Sequence, residues 1–373
     1  MAQDNNYELP LNWQQKVSLW FGELKVHLLK DKVLYLYCAV TTVVIYSFSL
    51  YFQSPIRYSL TTYLETIGTA CYITFLMWCS YYYFYLIVQK EKSPTKQFLR
   101  KLAQIFFPLN RTIAVATLVL MLTLVFSNHT FLKSLIPVLH PFSLDEAFIN
   151  IDRVLHFGVD PWVITHSLFP GAWSSFVLNM AYNAWFFLMW GMLIFFLIYK
   201  KRPQLRQQFL LSFVLSWMVI GFFFATLLSS VGPCYVEPLS ENNYFSPLME
   251  TLRAQSQYLL DIEIGQLWAL ATQEHLWHDY IEQANSIGSG ISAMPSMHVS
   301  IAVLIALSIY RLNKIAGYVA YFFALIIQIG SVHLAWHYAI DGYFATVLTI
   351  LIWKGVGYLI HRYPSAFPCE ITK

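Results

Sequence analysis

Apolar residues gather in eight stretches, near residues 33–52, 64–88, 112–132, 173–198, 208–230, 297–311, 315–333 and 338–360. Each carries few or no charges, and most reach the twenty or so positions that a helix needs to cross a bilayer core. Polar residues at their ends make the last three the hardest to delimit. The pattern predicts an all-α, polytopic membrane protein with about eight transmembrane helices. Two polar connections are long. Residues 133–172 contain Pro137, Pro141, Pro161 and Pro170, which interrupt regular helix. Residues 231–296 include a helical stretch over 245–285, where Leu248, Leu252, Leu259, Leu260 and Leu267 recur at roughly helical spacing. The two segments are expected to pack together as a cap over one end of the spans. Ahead of the first span, residues 10–32 place Trp13, Val17, Trp20, Phe21, Leu24 and Leu28 at helical spacing, with Lys16, Lys25, Lys30 and Lys32 nearby. This predicts an amphipathic helix resting on the membrane surface.

Composition strengthens this picture. The chain of 373 residues is 57% hydrophobic, 18% aromatic and 12% charged, about half the charge of an ordinary soluble protein. Disorder, a disulfide scaffold and a nucleic-acid binder are excluded, and a net charge of +3 makes no basic binding surface. Of the 23 lysines and arginines, all but Arg57, Lys133, Arg153 and Arg253 fall in segments on one side of the membrane. By the positive-inside rule both termini are cytoplasmic and the two long segments lie outside. No cleavable leader is evident, and the first apolar run is long enough to stay as a signal anchor. Cys38, Cys71 and Cys79 fall within spans, Cys234 in an outer loop and Cys369 near the end, so no extracytoplasmic disulfide is implied.

Ionisable residues inside a bilayer suggest function. The chain reads Gly290-Ile291-Ser292-Ala293-Met294-Pro295-Ser296-Met297-His298, and later His333-Leu334-Ala335-Trp336-His337-Tyr338-Ala339-Ile340-Asp341. His298 and His337 are 39 positions apart, one crossing inward and one back, so both reach the same face at the same depth. His337 and Asp341, four apart, share one face of a helix. A carboxylate there orients the ring and leaves its other nitrogen as a lone-pair donor. The set suits phosphoryl transfer, in which one imidazole attacks phosphorus and the other protonates the leaving alkoxide. Pro295 fits the first turn of a helix. Open N–H groups around Ser296, Met297 and His298 would then face an anion, and Gly288 and Gly290 allow close backbone approach.

These motifs resemble the second and third signatures of the type-2 phosphatidic acid phosphatase superfamily, P-S-x-H followed by H-x-x-x-D in a six-helix core. P-S-M-H-V and H-Y-x-I-D are most similar to the branch of inositol phosphorylceramide synthase and its bacterial relatives, where a bulky residue replaces the glycine of P-S-G-H. Leu252-Arg253 ahead of Gly290-Ile291, and Ile151-Asp152-Arg153-Val154-Leu155-His156-Phe157-Gly158, resemble it more weakly. The resemblance covers the third span to the chain end. It divides the chain into a cytoplasmic segment 1–32, two added helices over 33–101 and a core over 102–373 with outer segments 133–172 and 231–296. It implies a lipid phosphatase or phosphotransferase of the bacterial plasma membrane, with an extracytoplasmic site and no metal or cofactor. A phospholipid or polyprenyl phosphate is the donor, and water or an alcohol the acceptor. His337 is the implied nucleophile, Asp341 its orienting partner and His298 the general acid. The first signature, K-x6-R-P, is missing. Lys201-Arg202-Pro203 resembles a fragment of it but lies on the cytoplasmic side. Ser331 stands where an arginine usually precedes the second histidine. A phosphate still needs cations, and among Arg57, Lys133, Arg153 and Arg253 the first choice is Arg253 and the second Arg153. Ser296, His333 and Tyr235 are further candidate phosphate contacts.

Two other classes compete. His298, His333, His337 and Asp341 match the ligand types of a zinc or iron site. Polar residues within spans also suit a transporter, although no internal repeat is visible.

Overall fold

The computed structural model describes residues 12–52, 58–61, 63–107, 109–283 and 290–367. Gly288, Arg57 and Cys369 lie outside them. The regular elements are helical throughout. The first part comprises α1 (Trp13–Leu29), α2 (Lys32–Phe52), α3 (Leu64–Val88), α4 (Pro94–Phe106) and α5 (Leu109–Leu139). Then come α6 (Asp145–Leu155), α7 (Pro161–Leu168), α8 (Gly171–Ile198), α9 (Pro203–Met218) and, beyond a π-helical turn at Val219–Phe224, α10 (Ala225–Leu227). The remainder comprises α11 (Pro233–Ser240), α12 (Ser246–Asp261), α13 (Trp268–Glu282), α14 (Met297–Leu312), α15 (Lys314–His333) and α16 (Ala339–Arg362).

Among the described residues seven helical stretches are long and apolar enough to cross a membrane: α2, α3, α5, α8, α9 through α10, α15 and α16. The expected sixth span, α14, has only 16 residues, about 24 Å at 1.5 Å per residue. It packs against α8, α9, α15 and α16, and Val299 through Ala306 are buried without a break. A helix so enclosed by protein need not match the thickness of the lipid. A single residue, Asn313, joins it to α15, whose first turn it caps by accepting from Ala316 N–H at 3.0 Å. Close approach makes this hairpin possible, since a Cβ at Gly317 would lie 2.5 Å from the Tyr310 Cα. In lipid, such contacts replace the hydrophobic drive that operates in water.

α5 departs from expectation in another way. It continues through Pro137 to Leu139. A proline in the last turn forfeits one backbone bond, and buried Leu135 and Ile136 hold the helix on course. The first long connection therefore starts at His140. Pro141 lies in the irregular stretch between α5 and α6, whereas the last two prolines begin helices. Pro161 is in the first turn of α7 and Pro170 precedes α8. The helical reading of 245–285 corresponds to α12 and α13. At one end of the bundle α6 packs on α16, α7 on α15 and α12 on α8. At the start of the chain α2 packs on α5, and α3 on both α5 and α8. α1 lies along α5 with Val17, Trp20, Leu24 and Leu28 half-buried, while Trp13 and Phe21 face outward.

Candidate active site

Three stretches of chain meet beneath α11 and α13. They follow α10, precede α14 and join α15 to α16. Backbone bonds tie them together. Ala293 N–H donates to the Ser230 carbonyl at 3.0 Å, Cys234 N–H to the Ala335 carbonyl at 3.1 Å and Ser296 N–H to the Asp341 carbonyl at 3.2 Å. Gly232 stands at the tightest point. Its φ is +87°, and a Cβ there would lie 2.8 Å from both the Ala293 Cβ and the Trp336 carbonyl oxygen. Only glycine suits both the conformation and the space.

Ser296 caps α14, its Oγ accepting from Val299 N–H at 3.4 Å. Pro295 therefore precedes the cap rather than opening the helix. The Ser296 N–H already serves the Asp341 carbonyl, so it is no open anion donor, and Ser296 is not on the cavity wall. His298 follows in the first turn. Its ring stacks on Tyr182 at 4.5 Å between centroids and tilts against Trp185 at 4.2 Å, both on α8.

His337 lies in the turn before α16. Its Nδ1 is 3.2 Å from Asp341 Oδ2, which also accepts from Tyr338 N–H at 3.1 Å. His337 precedes the helix instead of sharing its face, and Asp341 reaches back across the cap to meet it. A carboxylate only accepts, so Nδ1 is the donor and Nε2 carries the lone pair. The His298 and His337 centroids are 6.2 Å apart, with ring planes at 61°.

Both rings line a cavity of about 370 Å³, within the range of small-molecule sites. Lys133 of α5 joins them, and Phe126, Trp190 and Trp217 form an aromatic wall. Tyr182, Trp185 and Trp336 also line it, and their phenol or indole donors have no partner among the described residues. The cations ranked first from sequence are elsewhere. Arg253 on α12 is exposed, and Arg153 on α6 is exposed with its Nε 3.9 Å from Asp160 Oδ1. Neither lines the cavity. Tyr235 does, but its hydroxyl donates to the Gln273 carbonyl at 3.0 Å. Burial holds this phenol well above its ordinary pKa, so it stays protonated.

His333 takes a separate place. α15 ends there, and its Nε2 is 2.8 Å from Ser175 Oγ while its ring stacks on His166 at 3.8 Å. The metal reading needs His333 beside His298 and His337, and the fold does not bring it there. Among the described residues no group of three or more His, Cys, Asp or Glu is placed to hold a metal ion.

Two acids to which sequence reasoning gave no place in the site organise it. Asp145 accepts from Val231 N–H at 3.1 Å, Gly232 N–H at 3.0 Å and the Tyr338 hydroxyl at 2.8 Å. Asp152 accepts from Ala339 N–H at 2.7 Å and Ile340 N–H at 2.9 Å, satisfying first-turn donors of the helix that carries Asp341. His156 completes this grip, with Nδ1 2.7 Å from the Asp152 carbonyl and Nε2 3.0 Å from the Tyr343 hydroxyl. The stretch from Ile151 to Gly158 thus holds the start of α16 in place.

The fold and site together define a multi-pass helical membrane protein with paired histidines enclosed at one end of the bundle. A family model described as the PAP2 superfamily matches residues 146–354, more than half of the chain, and the chain belongs to this superfamily. Membership points to phosphatase or phosphotransferase chemistry on lipid-like substrates. No curated protein and no solved structure matches the chain. The match begins in α6, not at the third span, and so leaves out α5 with its Lys133.

Proposed function

We propose that the chain is a lipid phosphatase or phosphotransferase working through a phosphohistidine. One observation carries this reading: His298 at the start of α14 and His337 in the turn before α16 bring their rings to 6.2 Å and share a cavity with Lys133. His337 Nε2 attacks the phosphorus of a lipid phosphate, and the bond to the leaving alkoxide breaks. His298, protonated, gives that oxygen its proton. Asp341 keeps the attacking ring oriented and stabilises its charge. Lys133 faces the phosphate oxygens in the role that sequence gave to Arg253. Water or an alcohol, deprotonated by His298, then takes the phosphoryl group and frees His337. No residue in this scheme calls for a metal.

The aromatic wall supports a donor with a long apolar tail, a phospholipid or a polyprenyl phosphate. Met297 stands where the usual P-S-G-H motif has glycine. Its Sδ lies 3.2 Å from where a Cβ on Gly221 would be, against the π turn. The bulky residue at this position carries the resemblance to the inositol phosphorylceramide synthase-like branch, and that resemblance leans towards transfer, with hydrolysis the other outcome. The charge distribution supports a site on the extracytoplasmic face, and the resemblance points to a bacterial plasma membrane.

The test uses the purified full chain in lipid nanodiscs, given phospholipids and polyprenyl phosphates with and without candidate alcohols. Mass spectrometry follows the phosphate. The expected result is loss of donor phosphate and a labelled histidine at 337. Undiminished turnover in His337→Ala would remove the proposed nucleophile.

A further inference from the structure

α6 presents three faces to its surroundings rather than two. Phe148, Ile149 and Asp152 are buried. This face meets α16, where Asp152 accepts from the Ala339 and Ile340 amides. Glu146, Asn150 and Arg153 follow one another at helical spacing on a second face, and all three are exposed. Ala147, Ile151, Val154 and Leu155 recur at helical spacing on a third, and they are exposed as well. A surface helix in water buries its one apolar stripe and shows polar residues elsewhere. α6 buries one apolar face and leaves another uncovered, kept apart from its charged one.

The chain beyond the helix extends the uncovered face. Phe157 is 98% exposed and Val154 78%. Phe157 has φ +59° and Gly158 φ +86°, and the turn is closed by Gly158 N–H donating to the Arg153 carbonyl at 2.7 Å. A phenylalanine seldom adopts this left-handed conformation. Here no packing against the protein compensates for it.

The ridge adjoins a surface that already faces lipid. His156 Nε2 is 3.0 Å from the Tyr343 hydroxyl on α16. Tyr343, Val347 and Leu351, each four residues on from the last, are exposed along this membrane-crossing helix. The exposed apolar surface of the span therefore continues onto α6. A stable protein interface takes about 20–30 residues a side, far more than the ridge supplies, so a second copy of the chain is a poor fit to it.

We propose that α6 lies in the plane of the membrane at the histidine end, with Ile151, Val154, Leu155 and Phe157 inserted among the lipid chains and Glu146, Asn150 and Arg153 in water. Because Asp152 is on the inner face of the same helix, the inserted ridge sets the height of the start of α16 in the leaflet.

The test uses the native full chain in bilayers carrying a phospholipid with a photoactivatable diazirine in its acyl chain. After illumination, mass spectrometry maps the lipid adducts. They are expected on Val347 or Leu351 of the span and equally on Val154, Leu155 or Phe157. A second measurement places a nitroxide on Phe157→Cys or on Asn150→Cys, with the native cysteines replaced by serine. Both side chains are exposed, so neither label disturbs packing. The ratio of oxygen to nickel-complex collisions should be about ten-fold higher at 157 than at 150, as for a ridge about 5–10 Å below the headgroup boundary. Adducts on the span with none on the ridge would overturn the proposal, as would equal ratios at the two positions. A label at 157 shielded from both reagents would show protein covering the ridge and overturn it too. Neither measurement reads turnover, so both decide the matter whether or not the histidine chemistry holds.

Discussion

At the residue scale, the division of labour between the two histidines follows from their partners. His337 has a carboxylate behind it, whereas His298 has aromatic faces. An orienting carboxylate suits a nucleophile, and a ring packed at the cavity wall suits a proton donor. His298→Ala should lower kcat by about 10²–10⁴-fold on a lipid phosphate, yet much less on an aryl phosphate whose leaving group needs no proton. His337→Ala should be inactive on both. Steady-state assays with the two donors separate the roles, and an equal loss on both in His298→Ala would contradict the general acid. Lys133→Met should raise KM by about ten- to a hundred-fold, the worth of a charge-assisted hydrogen bond. Arg253→Gln should stay near the parent. His298, His337 and Asp341 were legible in the sequence because their spacing encodes their meeting. Lys133 was not, because its position depends on how far α5 runs, and Pro137 reads as a stop that the fold does not obey.

At the scale of elements, the site is held by connections more than by helix faces. α16 starts under the control of α6, since Asp152 satisfies the amides of Ala339 and Ile340. Asp152→Ala leaves buried N–H groups unpaired, at about 1–3 kcal/mol for each. Thermal melting should fall accordingly, and kcat should fall with it because Asp341 lies in the same turn. Burial raises the Asp152 carboxyl above the ordinary carboxylate range, although the two amides and His156 pull it back in part. The folded state then holds this proton more tightly than the unfolded chain does. Its contribution to stability falls as pH rises from the ordinary carboxylate value through the raised one, and levels off above it. Asp152→Ala should abolish that slope in a pH series of melting curves. Gly232→Ala forces a Cβ against the Trp336 carbonyl, and the expected cost is about 1–3 kcal/mol together with a loss of turnover. None of these links was readable beforehand. Asp152 and His156 stand in a short motif with no periodicity, and their partner lies some 187 positions onward.

At the scale of the whole molecule, the helical class and most spans follow from hydrophobic length alone. α14 escapes that logic because protein surrounds it. Orientation rests on charge. Arg202 before α9 donates to the Arg311 carbonyl at the end of α14, the end opposite His298, and Lys96 of α4 precedes the start of α5, the end opposite Lys133. At the histidine end α13 is tied down by Gln273, whose Nε2 donates to the Leu334 carbonyl at 2.8 Å. A cysteine placed on each side reads the orientation directly. His278 on α13 and Lys96 on α4 are both exposed, so a substitution at either disturbs no packing. With the native cysteines replaced by serine, His278→Cys should react with a membrane-impermeant maleimide on intact cells. Lys96→Cys should react only after the membrane is opened. The opposite pattern would turn the histidines toward the cytoplasm, changing which leaflet supplies the lipid phosphate while leaving the pairing of His298 with His337 as it is.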